Sequence, residues 1–139
     1  MRNSPLVIAG VCIGLLTACS DSTESTEPRA RVREAASLST RAFALPDSVE
    51  RGKPLTLRIE SVAANGCFEV GETTVEITAR IAVVRPYWYH YRNAFCTQAL
   101  QTFEHVITLQ FPEEGEITIR VVGAQASVER RIRNYRRSS

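Results

Sequence analysis

The sequence predicts an all-β fold, an antiparallel two-sheet sandwich of about seven short strands, and three observations predict it. Apolar and polar residues alternate with period two in stretch after stretch beyond Arg41, which puts one face of each strand in a core and the other in water. Clusters of Gly, Pro, Asn and acidic residues punctuate those stretches as turns do. No stretch beyond Arg41 carries an apolar 3.6-residue stripe long enough for a core helix. The 139 residues, 44% apolar and 23% charged with a net charge of +2, suit one small domain and exclude a multidomain enzyme. Seven Gly and six Pro are ordinary usage, which excludes a collagen-like or wholly disordered chain.

Residues 1–18 read as a signal peptide. Arg2 precedes an apolar run at residues 6–16; eleven residues at ~1.5 Å each cross about half of a ~30 Å hydrocarbon core, too little for a membrane span. The run ends in Leu16-Thr17-Ala18-Cys19, which resembles the lipobox of bacterial lipoproteins. The resemblance implies cleavage before Cys19 and acylation of its thiol. Each buried methylene contributes ~0.8 kcal/mol and two or more chains hold stably, so the membrane is the first expected partner. Ser20 rather than an acid follows Cys19, which by the same resemblance implies the outer membrane of a Gram-negative bacterium.

Residues 19–41 read as the lipidated Cys and a flexible tether, because their large aliphatic residues are only Val32 and Leu38. Such a stretch buries too little apolar surface to offset the entropy of ordering. Residues 29–37 have the composition of a transient helix without an apolar face. With Cys12 lost in the signal peptide and Cys19 lipidated, Cys67 and Cys96 are left in an exported, oxidising compartment, where one disulfide is the simplest state. Cleavage removes Arg2 and no acid, so the charge falls from +2 to +1, and no polyelectrolyte partner is implied.

Residues 42–139 are the sandwich. Leu55, Leu57 and Ile59 form one apolar set; Val75, Ile77, Ala79, Ile81 and Val83 a second; Phe103, Ile107, Leu109 and Phe111 a third; Ile117, Ile119 and Val121 a fourth. Turns are expected at Arg51-Gly52-Lys53-Pro54, Asn65-Gly66, Val70-Gly71, Arg85-Pro86, Pro112-Glu113-Glu114-Gly115 and Val122-Gly123. Strand number and spacing suit the immunoglobulin type of sandwich. The segment from Leu45-Pro46 through Gly52 to Leu57 resembles the opening of bacterial surface immunoglobulin-like domains. Two departures stand out. Ile117 occupies the place of the corner Tyr, and Cys67 follows its strand rather than lying inside it, so the disulfide is expected to staple loops or strand ends.

Little in the chain points to catalysis. His90 and His105 lack metal-ligand spacing, no Gly-x-Ser-x-Gly turn is present, and no metal or cofactor is expected. His105, in phase with Phe103 and Ile107, reads as a packed, hydrogen-bonded core histidine. The run Tyr87-Trp88-Tyr89-His90-Tyr91-Arg92 is the candidate binding site. On a strand, Tyr87, Tyr89 and Tyr91 share one face while Trp88 and His90 share the other; one set completes the core and the other either packs the sandwich end or offers a stacking platform. The basic run Arg130-Arg131-Ile132-Arg133-Asn134-Tyr135-Arg136-Arg137 suits anionic headgroups or a charged strand that resists edge aggregation, not nucleic acid outside the cytoplasm. The expectation is a monomeric, non-catalytic, lipid-anchored module that binds or scaffolds an envelope protein or glycan. The alternative is a small periplasmic inhibitor or a carbohydrate- or ligand-binding lipoprotein.

Overall fold

A computed structural model describes residues 31–92 and 94–138; the signal segment, Cys19 and the first part of the tether lie outside them. The described chain is all-β, with eight strands: β1 (Arg31–Ala35), β2 (Ser48–Glu50), β3 (Leu55–Ala63), β4 (Phe68–Thr78), β5 (Ile81–Tyr91), β6 (Gln101–Leu109), β7 (Gly115–Val122) and β8 (Ser127–Tyr135). They form a two-layer sandwich consistent with the immunoglobulin-like class. One layer is a six-stranded sheet and the other is the β3–β6 pair.

Alternation explains the layers. Leu55, Leu57, Ile59, Ser61 and Ala63 of β3 all point inward and are buried, facing Ile117, Ile119 and Val121 of β7, each fully buried. Phe111, Val84, Leu109 and Ile132 close this main core. At ~25 cal/mol per Å² of apolar surface, each such side chain contributes ~1.5–3 kcal/mol. The second, third and fourth parities read from the sequence fare differently: those of β6 and β7 hold, and that of the β4–β5 region does not.

A two-residue turn at Ala79-Arg80 splits the supposed single strand there. Directly opposed residues share a face, so Val75 pairs with Val84 and Ile77 with Ala82, and the buried parity switches from odd to even across the turn. Ile81 therefore lies on the outer face and is exposed, while Ala82 and Val84 are buried. Val75 and Ile77 stay partly exposed because β4 is the edge strand.

Two expected turns are instead one sheet feature. Arg85-Pro86 lies inside β5 and Val70-Gly71 inside β4. Proline donates nothing to a ladder and is tolerated at bulges. The register shifts from Val70↔Trp88 to Thr73↔Pro86, so Gly71 and Glu72 together oppose Tyr87, which is a β-bulge beside the proline. Gly71 is required there: a Cβ would sit 2.8 Å from the Tyr87 carbonyl oxygen.

Strand pairing also begins eleven residues earlier than composition suggests, at Arg31 rather than Ala42. Residues 31–35 are not tether but a strand, β1, paired antiparallel to the far half of β5 from Arg31↔Tyr91 to Ala35↔Tyr87. β7 takes the near half of the same edge, parallel, from Ile81↔Thr118 to Val84↔Val121. Ala36 is fully buried and joins the two, its N–H donating to Pro86 O (3.0 Å) and its carbonyl accepting from Ala124 N (2.9 Å). Residues 37–42 then cross to the other layer and run beside β3, with Ser39 N donating to Glu60 O (3.1 Å) and Glu60 N to Ala42 O (2.7 Å). The short β2 returns to the large sheet, parallel to the end of β8, and Gly52, at φ 77°, makes the turn into β3.

Candidate functional site

The aromatic run occupies the last part of β5, and the odd–even split holds. Trp88 is on the inner face and only 5% exposed. It packs on Phe68 (ring centroids 4.8 Å apart) and edge-on to Phe103 (6.5 Å) in a small second core with Ala36 and Ala63. An exposed Trp88 platform is thereby excluded, because the second layer covers that face. His90, one step outward, stacks on Phe68 (4.4 Å) and places Nδ1 3.4 Å from Glu34 Oε1.

The tyrosines line the outer face, half-buried, and two of their rings carry a guanidinium on one face. The guanidinium of Arg31 lies 3.5 Å over Tyr89 and that of Arg33 3.5 Å over Tyr87. Such exposed cation–π contacts contribute ~0.5–1 kcal/mol each. Tyr89 donates to Glu72 (2.7 Å) and Tyr91 to Glu69 (2.6 Å), and Arg33 pairs with Glu72. The Tyr89 hydrogen bond is the main cause that holds the Glu72 carboxyl below its ordinary range, and the same bond raises the Tyr89 hydroxyl; Glu69 raises Tyr91 likewise. This Arg–Tyr–Glu ladder fastens both neighbours, β1 and β4, to β5. It occupies one face of the Tyr87 ring and one face of the Tyr89 ring that a sugar would otherwise stack on. Arg92 is exposed at the strand end.

The disulfide joins Cys67 and Cys96, with Cα atoms 5.2 Å apart. It staples the β3–β4 turn to the β5–β6 connection at the sandwich end, outside the main core. Tyr91 N donates to Cys67 O (2.9 Å) and Gly66 N to Thr97 O (2.9 Å) beside it. A cleft of about 370 Å³ opens there, lined by Tyr91, Glu69, Ala94 and Phe95 among others.

His105 is buried, with Nε2 3.0 Å from Ser61 Oγ and Nδ1 3.3 Å from Thr73 Oγ1. Ser61 is fully buried too, and the imidazole's second partner is a hydroxyl rather than a carboxylate, so this Ser–His pair has neither access nor the orienting acid of a hydrolase. Burial lowers the His105 pKa below its ordinary 6.5. The unfolded chain then binds the proton more readily, so the stability this gives is full above about pH 6.5 and is lost as pH falls through the depressed native value. The melting temperature is expected to fall as pH drops below about 6.5, and His105→Gln to flatten that part of the profile. An unchanged slope in the variant would refute the assignment.

The basic run sits at the opposite end. β8 buries Ile132 and Asn134 and exposes Arg131 and Arg133. Arg131 pairs with Glu116 (3.5 Å) and Arg136 with Glu114 (2.7 Å). These residues, with Asp47 and Arg133, line a groove of about 1110 Å³. The cluster is thus an alternation of charges rather than a positive patch. Among the described residues no group of three or more His, Cys, Asp or Glu gathers to hold a metal ion.

Sequence reasoning misses Arg31 and Arg33, whose composition is that of a tether, and Glu69 and Glu72, whose positions depend on the bulge. The acidic half of the groove has a signal in the turn Pro112-Glu113-Glu114-Gly115 and in Glu116, the polar strand position that follows it.

No curated protein and no solved structure matches the chain. The model of the ORF11 beta-sandwich domain matches residues 57–130, from β3 into β8, a span that holds the disulfide, the aromatic run and His105. That span is more than half of the chain, and its strands are those that build both layers: the chain belongs to the ORF11 beta-sandwich domain family.

Proposed function

We propose that this is a lipid-anchored, non-catalytic envelope module that offers one end of its sandwich to another envelope component. The observation that carries the reading is where the chain enters the fold. Arg31 is already paired with Tyr91, and it lies twelve positions along the chain from Cys19. At ~3.3–3.6 Å per residue twelve steps reach at most about 40 Å, which keeps the domain at the surface that holds the acyl chains. Ser20 after Cys19 supports the outer membrane. β5 is 11 residues long, about 35 Å at ~3.3 Å each, and the groove between Asp47 and Arg136 lies near its far end, turned away from the anchor. Alternating Arg and Glu along that groove favour a protein surface of mixed charge over a polyanion.

Cys19→Ser is expected to move the protein from the membrane to the soluble fraction and to abolish its labelling by a fatty-acid analogue; equal labelling of wild type and variant would overturn the anchor. In the same membranes, solubilised in detergent, a partner that co-purifies with the wild type is expected to be lost from Arg133→Glu at unchanged melting temperature. A partner retained by that variant would overturn the groove assignment.

A further inference from the structure

The end of the sandwich nearest the anchor carries its most exposed apolar side chains. Phe95 is 109% exposed and Leu100 74%, both in the connection from β5 to β6. Pairings fix their location: Arg31 with Tyr91, Tyr91 N with Cys67 O, Gly66 N with Thr97 O, and Gln101 with Ala63. The chain entry, the disulfide and both apolar residues therefore share one end of the molecule.

We propose that Phe95 and Leu100 dip into the membrane surface to which the chain is tethered, a second apolar contact that sets the orientation of the domain. The proposal rests on the acylation of Cys19. Three observations carry it. Phe95 is next to Cys96, whose disulfide to Cys67 pins the backbone to the start of β4, so the ring is held out and does not fold back onto the core. The leash from Cys19 ends at Arg31, beside this loop, and its limit of about 40 Å is close to the ~35 Å length of β5, so the end that carries the leash stays nearest the lipid. The groups flanking the loop suit an interface: Tyr91 is half-buried with its hydroxyl outward on Glu69, and Arg92 is exposed. Tyr belongs at the headgroup level, and Arg is drawn to anionic lipid. One Phe and one Leu hold a free protein poorly. On a chain already confined by acyl groups the second contact is intramolecular, and a weak one suffices to orient it.

The test uses the full lipidated chain in phosphatidylethanolamine–phosphatidylglycerol vesicles, with and without lipids brominated on the acyl chains near the headgroup. Phe95→Trp supplies the reporter and Arg133→Trp, at the far end, the control; the native Trp88, buried in the small core, gives the constant background. The expected result is a blue-shifted emission from position 95 and about a twofold loss of that component with brominated lipid, with no loss from position 133. Flotation and the acyl mass on Cys19 are read on the same sample. Acylated, floating protein whose position 95 emits as in water and escapes quenching overturns the insertion alone, and so does equal quenching at positions 95 and 133. Protein without acyl mass overturns the anchor, and the proposal with it.

Discussion

Trp88→Ala is expected to cost about 3–5 kcal/mol, the range for removing a buried large aromatic, a large share of the ~5–15 kcal/mol that holds a small domain together. The indole is the centre of the second core: Phe68 and Phe103 lie against it and Ala36 and Ala63 close around it. The two alanines leave the hole unfilled when the ring goes, and the β1 end loses the surface on which Ala36 packs. Trp88→Phe is expected to cost much less. The Nε1–H has no partner among the described residues, so the swap removes a polar group whose burial is itself unfavourable and keeps most of the apolar area. Urea denaturation followed by circular dichroism measures both, and acrylamide should quench native Trp88 weakly. A Trp88→Ala variant with the wild-type midpoint, together with strong quenching in the native state, would show that the ring is on the surface.

What the sequence revealed and what it concealed divide along a physical line. β3, β6 and β7 were legible because each has one face on the core along its whole length, so their alternation reports burial directly. β4 and β5 were not, for two reasons. A two-residue turn between them changes the buried parity, and the apolar residues on either side of it, Ile77 and Ile81, are both partly exposed on an edge and an outer face. Gly71 and Pro86 looked like punctuation taken singly; together they are the two sides of one bulge, a relation visible only once the register is known. β1 escaped because its outward residues, Arg31 and Arg33, are charged, and what orders them is the rings of Tyr87 and Tyr89, more than fifty positions away.

The candidate site shows the same limit. Parity separated the tyrosines from Trp88 and His90 correctly, since it needs only the strand geometry of β5. Which set is buried depends on Phe103, Ala63 and Ala36, which come from three other segments. The charge of the carboxy-terminal run was equally misleading in isolation, because Glu116 pairs with its Arg131 and Glu114 with its Arg136. The cysteine pair, by contrast, was legible by counting, and counting does not require a register.

Loss of that disulfide is the second large effect. Cys67 and Cys96 are 29 positions apart, and closing such a loop in the unfolded chain contributes about 3–4 kcal/mol in the loop-entropy model. Cys67→Ala, Cys96→Ala and the double variant are all expected to lower the urea midpoint by the same amount, since any one of them opens the loop. A reductant should reproduce the shift in the wild type and do nothing to the variants. The site adds a local consequence. Cys67 O accepts from Tyr91 N, and Phe68, the next residue, stacks on His90 and packs tilted against Trp88, so opening the bridge loosens the end of β5 and the segment that holds out Phe95. Hydrogen exchange should therefore rise first at Tyr91 and at residues 94–100 while β7, sealed in the main core, keeps its protection until the whole domain unfolds. Free thiols at both cysteines in protein taken from the envelope, or a variant as stable as the wild type, would show that the bridge does not carry this share of the fold.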